Sequence, residues 1–395
     1  MGMTLTVPIS RADRPPPWWW PQAAYLHIPF CAHHCGYCDF AIATGQDHLI
    51  DRYLEALTAE LATLGKPQPV QTIFLGGGTP THLSAAQLER LLDAVVRWLP
   101  PQPGHEFSIE ANPATLDIDK VEILADHGVT RVSLGGQSFH PHLLRVLERN
   151  HDPADVPRAA HLIKSRIPQL SLDLIFGVPG QTAEQWKDDL RQALALEPDH
   201  LSTYGLTYEK GTRLWKQQRL GQVQALDEEA ELTLYQLAID TLGEAGFEHY
   251  EISSFARPGR RCRHNQVYWA NEAYFGFGMG AARYVEGKRD LNTRDLRTYL
   301  DRILSGKPAT FQSECLAPEE RARETLALNL RRLEGIVRSF FQEQTGFDVD
   351  ALVGPALERH IALGLLEDNG KAVWLTRGGK CVADAVIGNL LASRG

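Results

Sequence analysis

The chain has 395 residues, 43% of them hydrophobic and 23% charged, and a formal charge of −9. That balance is globular: a disordered chain carries fewer apolar residues, and a disulfide-stapled mini-protein is shorter and richer in cysteine. The acidic charge argues against a general binder of phosphate backbones, so no nucleic-acid partner is expected. No apolar run approaches the ~18 residues that span a bilayer. The opening MGMTLTVPISRADRPPPWWWPQ lacks the charged and apolar regions of a secretory signal. Three of the six cysteines fall between residues 31 and 38, a crowding that points to metal chemistry in a reducing compartment, so the expected location is cytoplasmic. Peripheral membrane contact and homodimerisation are left open by the sequence.

Residues 1–22 read as a Pro/Trp-rich tail, with docking of Trp18, Trp19 and Trp20 onto the body as the alternative. From residue 23 strand-like and helix-like segments alternate. AAYLHIPF is a strand, 48–64 a helix, and TIFLGG a buried strand that breaks into glycines. A helix over 84–98, the strand HEFSIEAN and a helix near 119–127 follow. RVSLGGQSF is a strand, 153–166 a helix, LSLDLIFGVPG a strand, 182–195 a helix, and HLSTYGLTYE a further strand. About six strand–helix units predict a parallel sheet with helical crossovers over a core of residues 23–252. Ligands are expected at the C-terminal ends of its strands. Residues 253–317 read as a linking region. Its FGFGMG stretch suits a loop near a ligand or simple packing at the domain boundary. Helices over 318–333, 336–345 and 351–367, then a hairpin at Asn369-Gly370, give a winged-helix-like domain over 318–395.

Cys31-x3-Cys35-x2-Cys38 is the strongest signal. Three thiolates on a short loop can hold one face of a four-iron cluster and leave one iron open. A zinc site normally adds a fourth Cys or His, and His33 and His34 lie within the motif, so zinc stays as the alternative. The string YLHIPFCAHHCGYCDF resembles the radical S-adenosylmethionine (SAM) superfamily. Within it, the match is to the branch that holds the oxygen-independent coproporphyrinogen III oxidases and the HemW-like heme chaperones. It runs from about residue 23 to the end of the chain. The resemblance implies a partial (β/α)6 TIM-like barrel, a [4Fe-4S] cluster on Cys31, Cys35 and Cys38, and S-adenosyl-L-methionine bound to the open iron, as one or two molecules.

Other loops take roles from the same resemblance. Gly76-Gly77-Gly78-Thr79-Pro80 is, by itself, a weak turn signal whose glycines let a ligand approach the backbone. In the family it resembles the loop that holds the methionine amino group, with Gly77 on the cluster-bound molecule and Gly78 and Thr79 on a second. Glu110 ends the strand FSIE, where a carboxylate can accept from hydroxyl or ammonium groups. Asp173 opens the apolar run DLIFGVPG, where an acid is costly unless paired. The resemblance assigns Tyr25 and Glu110 to the first molecule, and Gln137, Arg149 and Asp173 to the second.

Two departures separate the chain from the oxidases. Phe40 stands where their motif continues with a fourth Cys, and only about thirty residues precede Cys31. Both features match the heme chaperones. His264-Asn265-Gln266-Val267-Tyr268-Trp269 resembles their HNxxYW motif, and imidazole is a common heme ligand. His264 is therefore the expected heme contact, with Cys262 the competing ligand. The expected function is to bind heme and deliver it to recipient hemoproteins such as respiratory cytochromes. The alternative is radical oxidative decarboxylation of coproporphyrinogen III.

Overall fold

In the computed structural model, which describes residue 16 and residues 18–392, six parallel strands lie side by side in chain order. They are β1 (Ala23–Ile28), β2 (Val70–Gly77), β3 (Pro101–Ala111), β4 (Arg131–Gln137), β5 (Gln169–Phe176) and β6 (His200–Gly205). Helices fill the crossovers, among them Ile50–Ala62, Ala85–Trp98 and Ala183–Ala195. The parallel sheet expected from the alternation, and the partial barrel that the resemblance implies, are therefore present. It stays open: β7 (Glu248–Glu251) and β8 (Ser254–Ala256) add an antiparallel edge beside β6, and β9 (Phe275–Phe277) adds a parallel strand to the far side of β1.

Register explains how one sheet serves both a core and a site. Ile73 pairs with Phe107, Ile109 with Val132, Leu134 with Leu172, and Leu172 with Leu201. These side chains share one face and pack in the main hydrophobic core with the crossover helices. Because side chains alternate along a strand, the other face carries Thr72, Glu106, Ser108, Glu110, Arg131, Ser133, Asp173 and Ser202. The barrel interior is thus polar along much of its length.

Residues 253–317 supply β8 and β9 to this sheet and a separate antiparallel sheet of Ala282–Val285, Lys288–Asn292 and Thr310–Cys315. The FGFGMG stretch is tightly packed: a Cβ on Gly276 would lie 1.8 Å from the Ala282 carbonyl oxygen. A second core joins the helices Pro318–Leu330, Val349–Ala362 and Ala383–Ala392 to a three-stranded sheet of Ile336–Val337, Leu366–Asp368 and Ala372–Leu375. The helix expected to reach residue 367 stops at Ala362, since Gly364 turns left-handed (φ +69°) and the chain re-enters as a strand.

The tryptophans dock, against the reading of a loose tail. Trp19 and Trp18 carbonyls accept from the Glu286 and Gly287 amides at 3.1 and 3.3 Å. The Arg321 guanidinium lies 4.3 Å from the Trp18 ring centroid, and Trp20 meets Phe275 edge-on. The preceding residues 1–15 lie outside the described residues. Among the described residues no helix is long and apolar enough to cross a membrane.

Candidate functional site

The cysteine loop leaves β1 and is pinched at its base, where Phe30 and Cys31 pair with Ala43 and Thr44. Above the C-terminal ends of the strands lies a cavity of about 500 Å³. Cys31, Cys35 and Cys38 line it together. So do Gly77, Gly78 and Thr79 from the end of β2, Glu110 from β3, Gln137 from β4, Arg149, and Asp173 from β5. Ten of the twelve residues expected at a site are therefore brought to one place.

The donor chemistry there suits a positively charged metal cluster. Burial pushes the Cys31 and Cys38 thiols up to about 11. Such thiols shed their protons only if a cation takes the charge, which a metal does outright. The Thr79 hydroxyl lies 3.5 Å from the Cys31 sulfur, and Arg149 Nη1 donates to Cys35 Sγ at 3.5 Å. Among the described residues, no three or more His, Cys, Asp and Glu side chains converge tightly enough to chelate a single ion; the three thiols instead face a shared cavity.

The acids are poised for a donor-rich ligand. Burial raises Glu110 to about 7, against the Gly77 amide that donates to it at 2.9 Å, and the neighbouring Asp173 charge raises it further. Burial also raises Asp173, which accepts from the Ser133 hydroxyl at 2.9 and 3.1 Å. Arg149 Nη2 donates to the Gly135 carbonyl at 2.7 Å, but its buried Nε has no hydrogen-bond partner. A buried guanidinium donor left open calls for an acceptor. Gln137 sits in the left-handed region at φ +63°, beside a register shift between β4 and β5. Strain of this kind costs on the order of 1–3 kcal/mol and gathers at functional sites.

Tyr25 and His27 lie one layer below. The Tyr25 hydroxyl donates to His27 Nδ1 at 2.9 Å, and His27 Nε2 donates to the Ala41 carbonyl at 2.7 Å. Burial lowers His27 to about 4, so the ring is neutral and one tautomer satisfies both bonds. Its ring also lies against Gly77, where φ is +109° and a Cβ would fall 2.3 Å from the imidazole. In this structure Tyr25 supports the histidine that braces both the cysteine loop and the glycine turn, and it is not among the residues that line the cavity.

His264 is at the opposite end of the barrel. The helix Arg263–Trp269 closes that end, and Glu106 on β3 accepts from the His264 amide at 2.9 Å. Glu106 precedes Glu110 by four residues, roughly 13 Å along a strand. The His264 ring is fully buried, with Nδ1 bonded to the Thr72 hydroxyl and Nε2 to the Tyr268 hydroxyl, each at 2.9 Å. Burial lowers it to about 3. Cys262 is buried too, 3.5 Å from Glu106, and pushed up to about 12 by that burial. Both ring nitrogens of His264, the expected heme contact, are thus hydrogen-bonded within the chain, away from the cysteine cavity. Sequence reasoning missed Tyr204, Asn112 and Asn150, which also line the cavity. Tyr204 could have been found, because it stands at the C-terminal end of β6.

Comparison with known proteins agrees with this geometry. Residues 25–193 match the radical SAM superfamily and residues 316–382 the HemN C-terminal domain. The chain is 38% identical to the heme chaperone HemW of Bacillus subtilis, over 94% of this chain and 99% of that one. It is 34% identical to the heme chaperone HemW of Escherichia coli, over 94% and 98%. Coproporphyrinogen III oxidase (HemN) of Escherichia coli shares the fold, with a TM-score of 0.83 at 23% identity over 95% of this chain and 91% of that one.

Proposed function

The chain belongs to the heme chaperone HemW family of the radical SAM superfamily, and we propose that it binds heme and delivers it to recipient hemoproteins such as respiratory cytochromes. The observation that carries this reading is the full-length relationship to heme chaperones, joined to a cavity faced by three thiols. Cys31, Cys35 and Cys38 would hold a [4Fe-4S] cluster. When bound, that cluster supplies an open iron for the amino and carboxylate groups of S-adenosyl-L-methionine, and an electron. Gly77 and Glu110 face this molecule. Gly78, Thr79, Gln137, Arg149 and Asp173 serve a second: the open Arg149 Nε suits a carboxylate, and the two acids suit hydroxyl or ammonium groups. Six free cysteines fit a cytoplasmic protein whose thiols stay reduced.

The oxidase reading has the fold on its side. Phe40 opposes it, an exposed phenyl ring where the oxidase motif carries a thiol. One experiment separates the two. Cluster-reconstituted protein is titrated anaerobically with hemin and followed at the Soret band, while a parallel sample receives coproporphyrinogen III, S-adenosylmethionine and reductant. Saturable, near-stoichiometric heme binding without protoporphyrinogen supports the chaperone. Protoporphyrinogen without saturable heme binding overturns it.

A further inference from the structure

The cysteine loop is gripped from behind, on the side away from the cavity residues described above. Gly36, next to Cys35, is held by backbone on both sides. Its amide donates to the Leu147 carbonyl at 3.2 Å, and its carbonyl accepts from the Leu214 amide at 2.8 Å. Tyr37 follows and packs against a small core that contains Leu143, Leu147 and Leu214. The turn between Cys35 and Cys38 therefore sits between two segments: the end of the helix Pro141–Val146 and the start of the helix Arg213–Arg219.

Glu148 ties those two segments together across the turn. Its carboxylate accepts from Arg213 Nη1 at 2.7 Å and stands 3.9 Å from His33 Nε2. Its side chain lies against the turn itself, since a Cβ on Gly36 would come 3.2 Å from Glu148 Cδ. The Glu148 backbone holds φ at +55°, the left-handed region that favours glycine. Strain of this kind persists where the surroundings over-determine it, and it gathers at functional sites. The ion pair alone is a poor reason for it: the Arg213 side chain is 60% exposed, and exposed pairs contribute little. Placement is the better reason. The next residue, Arg149, donates to Cys35 Sγ at 3.5 Å, so the strained residue lies between two contacts to the cysteine turn, one through Leu147 and one through Arg149.

We propose, on the reading of Cys31, Cys35 and Cys38 as cluster ligands, that Glu148 is a positioning residue for the cluster: with Arg213 it clamps the turn between Cys35 and Cys38 and so fixes where those two sulfurs stand. It acts through the backbone of the turn and is not among the residues that line the cavity. Its contribution is placement alone, with no bond made or broken.

The test compares the anaerobically reconstituted full chain with Glu148→Gly, Glu148→Gln and Arg213→Ala. Three quantities are read: the melting midpoint, the rate of iron release to an excess of chelator, and the EPR spectrum after reduction with dithionite. Glycine removes the clamp and accepts the left-handed φ, so its midpoint is expected close to wild type, while iron release quickens severalfold and the spectrum changes. Glutamine keeps an acceptor oxygen and the bulk beside Gly36, and is expected to restore slow release. Arg213→Ala is expected to quicken release less than glycine does, and to add nothing when combined with it, because the two side chains act as one clamp. Release and spectrum matching wild type in Glu148→Gly overturn the clamp and leave the cluster standing. Iron loss that only tracks a lowered midpoint also overturns it, and makes Glu148 a residue of the fold. No iron held by the wild type removes the cluster reading and, with it, this role for Glu148.

Discussion

The two ends of the barrel are built from the same strands and the same kinds of residue, yet they do opposite things. At the closed end, Thr72, His264 and Tyr268 form one hydrogen-bonded line, and Glu106 takes the amides of Arg263 and His264, while the buried Trp269 Nε1 has no hydrogen-bond partner. At the open end, thiols, two raised carboxyls and an unpartnered guanidinium nitrogen face a cavity. A satisfied polar network specifies and rigidifies a fold. An unsatisfied one costs free energy until a ligand completes it. The contrast teaches that one set of strands can tie its polar groups to one another at one end and hold them open to a cavity at the other.

The largest expected effect lies at the open end. Cys35→Ser is expected to lose the cluster, with iron per chain falling to background while the melting curve stays close to wild type, since this half-buried side chain packs little core. Iron retained in this variant would break the comparison at its strongest point. Next is Gly77→Ala, which places a Cβ 2.3 Å from the His27 ring at a left-handed φ. A loss of about 2 kcal/mol or more is expected on chemical denaturation, together with weaker binding of S-adenosylmethionine. Adding His27→Ala should recover part of the stability lost to the clash, but not the ligand.

Acid and base should act on the two ends in opposite senses. His264 holds a folded value of about 3, below the ~6.5 of an unfolded histidine. Between these values the unfolded chain binds more protons, so stability falls as pH drops from about 6.5. Glu110 holds about 7, above the ~4.3 of an unfolded glutamate. There the folded chain binds more protons, and stability falls as pH rises from about 4.3 to 7, by a few kcal/mol at most. Denaturation midpoints against pH should show a flatter acid limb in His264→Gln and a flatter rise-linked loss in Glu110→Gln. Unaltered limbs in both variants would mean that neither group governs its end. The smallest effect is expected away from both ends. Trp18→Ala removes one cation–π contact with Arg321, about 0.5–1 kcal/mol, and should leave heme and iron stoichiometry unchanged.

Much of this was legible in the sequence, for local reasons. The alternation of strand and helix and the cysteine spacing follow from short-range patterns, and the resemblance supplied roles for Gly77, Glu110 and Asp173 on β2, β3 and β5. What escaped depends on contacts across long stretches of chain. Nothing near residue 275 announces that Phe275–Phe277 pairs with β1, whose Ala24 it meets some 250 residues away. Nothing near His264 reveals that Thr72 and Glu106 wait to receive it. The bond from Tyr25 to His27 shows the same limit: nothing in the run YLH tells that the histidine would brace Gly77 and the Ala41 carbonyl. The Trp run was ambiguous because its partners, the hairpin at Glu286-Gly287 and Arg321, come from two later segments.

The most direct test is to measure thermal stability and heme stoichiometry together on His264→Ala. Truncating a fully buried ring leaves a cavity and strands two hydroxyls, a cost of about 2–5 kcal/mol. The expected result is a melting midpoint lowered by several degrees, with near-stoichiometric heme and an unchanged Soret maximum in protein kept below its new midpoint. Heme lost at an unchanged midpoint would contradict the account and make the closed end the heme site.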